Sequence, residues 1–371
     1  MGSAKNYFYK LFRHIKVNQL LYVVLLFSNN SFPQLPDFSS IVENITPSVV
    51  SITVVVEDGF EHPVQTSVLP TGFEDFEFMG EGSSQILRDQ HVHNGTGVVL
   101  TADGYIVTNQ HIVQGGESYR VTLANGFQYA AELIGSDRVS DLAVLKIQAE
   151  NLQAGVFNES EESIKAGQSI LGFGSPYSLS GSVTQGIISY VNRPLPIMGI
   201  DAHFIVFIQT NLLINPGNSG GPVVDHNGEI IGINSRLLSD SGGSSGVAFA
   251  IPATVVKNIT DQLICNGYAS RGWIGVAVRN VPSSAAVGLG LATPKGALVT
   301  AITEGSPAQV AGIQVNDVIV AVNHNVIDNR YDLTYRIGLL NSTNRTHLIV
   351  IRDRKYHSTV VVPDELVIEG I

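Results

Sequence analysis

A serine, a histidine and a carboxylate in one chain can together open a carbonyl bond, provided the fold brings them into register. Ser219 lies in the run Gly217-Asn218-Ser219-Gly220-Gly221-Pro222. A hydroxyl is a poor nucleophile until a base takes its proton, and the oxyanion formed on attack needs preorganised donors. Glycines on both sides free the backbone for a turn whose N–H groups can face a substrate. A small-residue turn also closes ordinary β-connections, so this serine acquires meaning only with partners. His111 stands in TNQHIV, directly after an apolar hairpin pattern, where a histidine can equally be a hydrogen-bonded strand end. Asp141 stands in SDLAVLKI and opens a strand that otherwise reads as buried. Burying a carboxylate costs several kcal/mol unless it is paired, so Asp141 calls for a partner. Asp137, in the polar run GSDRVSD, reads as a solvated cap.

These residues must be held by a framework of strands. Residues 41–56, with PSVVSITVVV, read as a first strand. Residues 57–93 lose periodicity and read as a long loop, and regular strand signals resume at Gly97. Asp103-Gly104, Asn125-Gly126 and Asn227-Gly228 each sit between alternating apolar runs, a strong hairpin signal. Residues 253–264 form one amphipathic helical stretch. Many short strands with one closing helix predict a β-barrel or sandwich. After Asn266-Gly267 the pattern restarts, with strand-like segments at 272–278, 297–302, 317–322 and 347–352 and short helical ones at 307–311 and 331–340. The expected organisation is an N-terminal segment 1–34, a first domain 41–264 and a second domain 271–363.

The order His111, Asp141, Ser219 is that of the triad in chymotrypsin-type barrels. By that logic Ser219 attacks, His111 takes the proton and returns it to the leaving amine, and Asp141 fixes the imidazole tautomer. The turn Gly217, Asn218 and Ser219 would supply the oxyanion hole through the N–H groups of Gly217 and Ser219.

TNQHIV, SDLAVLKI, NPGNSGGPVVDHNGEIIGIN and SGVAFAIP together resemble the HtrA (Deg) family of trypsin-fold serine proteases. RGWIGV, followed by GALVTAITEGSPAQVAGIQVNDVIVAVN, resembles that family's PDZ domain. The resemblance spans roughly residues 41–363. It implies a mostly β chain, a trypsin-like double six-stranded β-barrel followed by a PDZ domain. It implies substrate-binding walls at Ile214, Leu237 and Leu238. Leu213 occupies the position that is acidic in trypsins, so cleavage after small-to-medium apolar residues is expected. The loop Trp273, Ile274, Gly275 and Val276 is expected to receive a peptide's C-terminal carboxylate, with the next strand taking the peptide by β-augmentation. Such binding would regulate the protease, with 193–203 and 239–246 as the loops concerned. Asn211-Leu212-Leu213 departs from the family's acidic and small residues, so the bulk of the leucines is expected to narrow the pocket or alter the loop. Asn316 stands where a glycine is common. The family further implies ATP-independent quality control of unfolded extracytoplasmic proteins and a homotrimer. A peptide-binding chaperone, or a PDZ adaptor with little proteolysis, is the alternative of another class.

Bulk properties fit this picture. A chain of 371 residues with 44% hydrophobic content makes about two domains. The net charge of −11 lacks the footprint of a nucleic-acid binder. Cys265 is the single cysteine, which excludes an internal disulfide and a cysteine-based zinc site. No cofactor and no metal is expected. At the N-terminus Lys5, Lys10, Arg13 and Lys16 precede an apolar run at 20–27. That pattern reads as a cleaved export signal, a retained membrane anchor, an organelle transit peptide or a simple tail, and with the family it implies a periplasmic location, possible inner-membrane attachment included.

Overall fold

The computed structural model describes residues 37–56, 91–175, 181–195, 204–215, 217–237, 246–340, 342 and 344–367. The N-terminal segment 1–34 and most of the 57–93 loop therefore lie outside the described residues. Residues 41–371 cluster as one compact unit.

The first predicted strand is shorter than its composition suggested. Ser39–Ile45 is helix α1, Thr46–Ser48 is a 3-10 turn, and strand β1 runs only over Val49–Val56. Pro47 occupies the start of the turn, where a missing N–H costs nothing, and the Thr46 hydroxyl donates to the Val42 carbonyl at 2.7 Å. Strict in–out alternation runs from Val50 to Val56, one residue after the strand begins. Strand β2 starts earlier than predicted, at His91–Val99, because pairing with β1 along its whole length substitutes for the apolar pattern.

Six antiparallel strands close the first barrel. To β1 and β2 it adds β3 (Tyr105–Thr108), β4 (Gly116–Thr122), β5 (Gln128–Asp137) and β6 (Leu142–Ile147), in the order β1-β2-β3-β6-β5-β4. The connection between β3 and β4 carries the one-turn helix α2 (Gln110–Val113). A second closed barrel contains β7 (Ser169–Gly174), β8 (Ser182–Arg193), β9 (Phe207–Thr210), β10 (Pro222–Val224), β11 (Ile230–Leu237) and β12 (Ala248–Pro252). Closure removes the unpaired edges that short strands would otherwise expose. Each barrel is filled by inward β-branched and leucine side chains, such as Ile52, Ile106 and Leu145 in the first and Ile170, Ile208 and Val223 in the second. The three Asx-Gly pairs make the predicted hairpin turns, with Gly104, Gly126 and Gly228 all at positive φ.

Helix α3 (Ala253–Asn266) follows the second barrel and ends at Gly267, which adopts the left-handed cap at φ +81°. Its buried stripe of Val255, Val256, Ile259 and Leu263 packs on the barrels. The predicted strand 272–278 is broken into β13 (Ser270–Trp273), which pairs with β20 (Asp364–Val367), and β14 (Val276–Asn280). The break falls at Gly275, at φ +77°, where any Cβ would lie 2.2 Å from that of Ser306. A main sheet β14-β15-β16-β18-β19 follows, with β15 at Ala297–Ile302, β16 at Val318–Val322, β18 at Thr346–Arg352 and β19 at Lys355–Val361. The short β17 (Asn325–Val326) pairs with β16 beside that path. Helices α4 (Pro307–Val310) and α5 (Arg330–Gly338) flank the sheet. Asn316 takes a left-handed conformation at φ +75°, one of the few non-glycine residues that do so readily.

The two unusual leucines part company. Leu212 is fully buried in the second barrel's core rather than narrowing a pocket, in a slot that Gly172 and Gly186 leave open. A Cβ at either glycine would press on its Cδ atoms, at 2.9 and 3.1 Å. Leu213 is 55% exposed. Truncating Leu212 should therefore leave a cavity. Leu212→Ala is expected to lose about 2–5 kcal/mol of stability in a urea titration; an unchanged midpoint would mean that the slot collapses freely.

Candidate active site

Asp141 sits at the mouth of β6 in a left-handed conformation, φ +57°. Aspartate tolerates that region better than most side chains, though it costs about 1–3 kcal/mol and must be held by its surroundings. The hold comes from Asp137, four residues before it. The Asp137 carboxylate accepts a hydrogen bond from the Ser140 N–H at 2.8 Å and another from the Ser140 hydroxyl. Arg271 of β13 grips the same carboxylate from the other side, with Nη1 at 2.8 Å from Oδ1 and Nη2 on Oδ2. Both partners are buried. Asp137 is thus not the solvated cap its polar neighbours suggested. Its partner lies on β13, at the start of the second domain, too distant in sequence for local composition to reveal it.

The carbonyl of Asp141 accepts from the Gln110 N–H at 3.1 Å and from Asn109 Nδ2 at 3.0 Å. Its carboxylate is 3% exposed. That carboxylate accepts from the backbone N–H of His111 at 3.1 Å and lies 2.9 and 3.0 Å from His111 Nδ1. A third donor, the Ser235 hydroxyl of β11, reaches Oδ2 at 2.5 Å. An acceptor-only carboxylate beside Nδ1 places the ring proton there, which leaves Nε2 as a base. His111 rides on α2, and its side chain is 12% exposed, open enough for Nε2 to meet a substrate. Ser235 escaped the sequence reading, although a polar Asn-Ser pair inside the apolar run IIGINS is a usable signal.

Ser219 belongs to the second barrel. Its turn is closed by the Asn218 N–H on the Asn215 carbonyl at 3.0 Å and the Gly221 N–H on the Asn218 carbonyl at 3.0 Å. Two further backbone bonds cross the turn, from the Gly220 N–H to the Asn234 carbonyl at 2.9 Å and from the Asn234 N–H to the Gly221 carbonyl at 2.9 Å. Gly220 is obligatory: at φ +84° a Cβ would stand 2.0 Å from the Thr96 carbonyl. Gly217 is likewise at positive φ, +98°. Among the described residues, the N–H groups of Gly217 and Ser219 have no acceptor, whereas that of Asn218 is spent inside the turn. No hydrogen bond joins Ser219 Oγ to the imidazole among the described residues; contacts of this kind commonly tighten only with substrate bound.

Of the expected pocket residues, Ile214 is buried among the second barrel's core, Leu237 ends β11, and Leu238 lies outside the described residues. Most of 193–203 and 239–246 also lies outside them. In the second domain, Ile274 and Gly275 turn their carbonyls inward, onto the N–H groups of Ala308 at 2.8 Å and Thr303 at 2.9 Å. Trp273 closes β13 and Val276 opens β14, which is an edge strand of its sheet. Helix α5 beside it meets the protease barrels. The Tyr335 phenol donates to Glu161 Oε1 at 2.5 Å, and burial next to that carboxylate pushes the phenol far above its usual range. No cluster that could hold a metal occurs among the described residues, and none of their helices is long and apolar enough to cross a membrane.

Comparison with known proteins matches a trypsin-like peptidase domain to residues 95–233 and a PDZ domain to residues 298–353. A probable periplasmic serine endoprotease DegP-like of Halomonas elongata is 36% identical over 96% of this chain and 77% of its own length. One of the same description from Pseudomonas fluorescens is 38% identical over 87% of this chain and 69% of its own. Among solved structures, the HtrA-type protease AlgW with tripeptide superposes with a TM-score of 0.67 at 29% identity, covering 89% of this chain and 98% of that one. If Asp141 orients the imidazole, Asp141→Asn should fold and yet lose about 10⁴-fold in turnover, because the amide selects the wrong tautomer. Near-normal turnover in a steady-state peptidase assay would show that another group orients His111.

Proposed function

Because the chain belongs to the HtrA family of serine endoproteases, we propose that Ser219, His111 and Asp141 form its catalytic triad. The observation that carries this reading is the continuous set of hydrogen bonds from Ser235 through Asp141 to His111 Nδ1. In the proposed cycle His111 Nε2 takes the Ser219 proton as Oγ attacks the scissile carbonyl. The Gly217 and Ser219 N–H groups stabilise the oxyanion, and the imidazolium returns its proton to the leaving amine. Water then attacks the acyl-enzyme by the same route.

The substrates we propose are unfolded or misfolded proteins, cut without ATP after small-to-medium apolar residues. Support comes from the exposed, uncharged Leu213 at the position that is acidic in trypsins and from the apolar Ile214 beside it. We propose that a peptide C-terminus binds at Trp273, Ile274, Gly275 and Val276 and regulates the protease. The inward-turned carbonyls of Ile274 and Gly275, the open edge of β14 and the neighbouring solved HtrA-type proteases with bound peptides support this. The periplasmic names of the relatives and the basic-then-apolar N-terminus support export to the periplasm, with the N-terminus cleaved or kept as an inner-membrane anchor. A homotrimer is the assembly the family implies.

Casein degradation by the wild-type protein beside Ser219→Ala, each with and without a peptide bearing an apolar free C-terminus, tests the reading. Wild type should degrade casein, faster with the peptide but not with its C-terminal amide, and the variant should lose at least about 10³-fold. Degradation that survives in Ser219→Ala would overturn the triad. Suppression of aggregation retained by the inactive variant would add a chaperone role.

A further inference from the structure

Thr96, on β2 of the first barrel, has no surface exposed to solvent and touches the nucleophile turn of the second barrel twice. Its backbone N–H donates to the Ser219 carbonyl at 2.9 Å, and its hydroxyl donates to the Gly217 carbonyl at 2.6 Å. A third contact fixes the direction of the second. The Ser175 N–H, at the end of β7, donates to the same Oγ1 at 3.0 Å. A hydroxyl carries one proton, and with an N–H already pointing at the oxygen, that proton is directed to Gly217.

The consequence is mechanical. The Gly217–Asn218 peptide is gripped at both ends, its C=O by Thr96 and its N–H by the Asn215 carbonyl at 3.0 Å. A peptide unit is planar, so fixing both groups fixes its plane. Gly217 needs this, since a glycine at φ +98° has wide torsional freedom and no side chain to anchor it. We propose that Thr96 is a positioning residue for the oxyanion hole: its hydroxyl sets the Gly217–Asn218 peptide so that the N–H groups of Gly217 and Ser219 converge on the substrate's carbonyl oxygen. The proposal rests on the assignment of Ser219 as nucleophile and of those two N–H groups as oxyanion donors. Thr96 itself meets no substrate and moves no proton. Donors of this kind act most strongly on the charged tetrahedral species, so loosening them weakens the transition state more than the bound substrate.

Thr96→Val keeps the side chain's shape and removes its proton. On a chromogenic peptide, kcat should fall about 10- to 100-fold, less than the 10²–10³ typical of deleting a donor outright, with KM changed by less than about threefold. Thr96→Ser, which restores the hydroxyl, should recover most of the loss. A peptide boronate, whose adduct with the serine places an oxygen in the oxyanion hole, should lose affinity in step with kcat/KM. A purely structural role would lower the urea midpoint and leave boronate affinity alone. The proposal is overturned if folded Thr96→Val retains kcat within about threefold of wild type, or if Thr96→Ser is as impaired as the valine variant. Should the valine variant not be recovered folded, Thr96→Ala replaces it, which removes the donor outright; wild-type kcat there would equally overturn the proposal. Ser219→Ala assayed alongside keeps the two claims apart. Peptide hydrolysis by that variant would sink the nucleophile assignment, whereas an inactive Ser219→Ala beside an unimpaired Thr96→Val would sink only the role of Thr96.

Discussion

Taking the charge of Asp141 out of water costs several kcal/mol unless donors replace the lost hydration. The fold replaces it from two sides, with His111 from the first barrel and Ser235 from the second. The same bonds that satisfy the carboxylate therefore hold the two barrels in register and set the imidazole tautomer. The seam must be dry to make those bonds strong and ordered to keep them short. A backbone bond across it, from the Thr96 N–H to the Ser219 carbonyl, ties the turn of the proposed nucleophile to β2 of the first barrel. Catalysis and domain cohesion are in this sense one requirement.

Much of this was legible in the sequence, for identifiable reasons. The Asx-Gly hairpins, helix α3 and the β character of both domains follow from local chemistry: turns that only glycine can make and periodicities that only one element satisfies. The proposed triad positions stand out in the sequence because a serine among glycines, a histidine after a hairpin and an aspartate opening a buried strand are each odd alone and coherent together. What escaped depended on distant partners. Asp137 looked solvated because Arg271 is 134 residues away. The start of β2 carries polar residues that only pairing with β1 explains. Leu212 reads as an obstruction until Gly172 and Gly186 are seen to make room for it.

The second domain is wired to the first through buried and half-buried polar contacts. Arg271, two residues before the Trp273–Gly275 turn, clasps Asp137 and hence the loop that carries Asp141. Tyr335 and Arg336 of α5 converge on Glu161, which also accepts from Thr254 at 3.3 Å. Breaking one partner of a buried ion pair is strongly destabilising, about 3–5 kcal/mol, because it strands the other charge. Such links are stiff when made and costly when half made.

The central claim is that one serine, set against a histidine and a buried carboxylate, is the nucleophile. Treatment of the wild-type protein with a fluorophosphonate, followed by mass mapping of the modified peptide, tests it directly. The account predicts a single adduct on Ser219 and loss of casein degradation in proportion to its formation. An adduct on a different residue, or full degradation by protein quantitatively modified at Ser219, would contradict it.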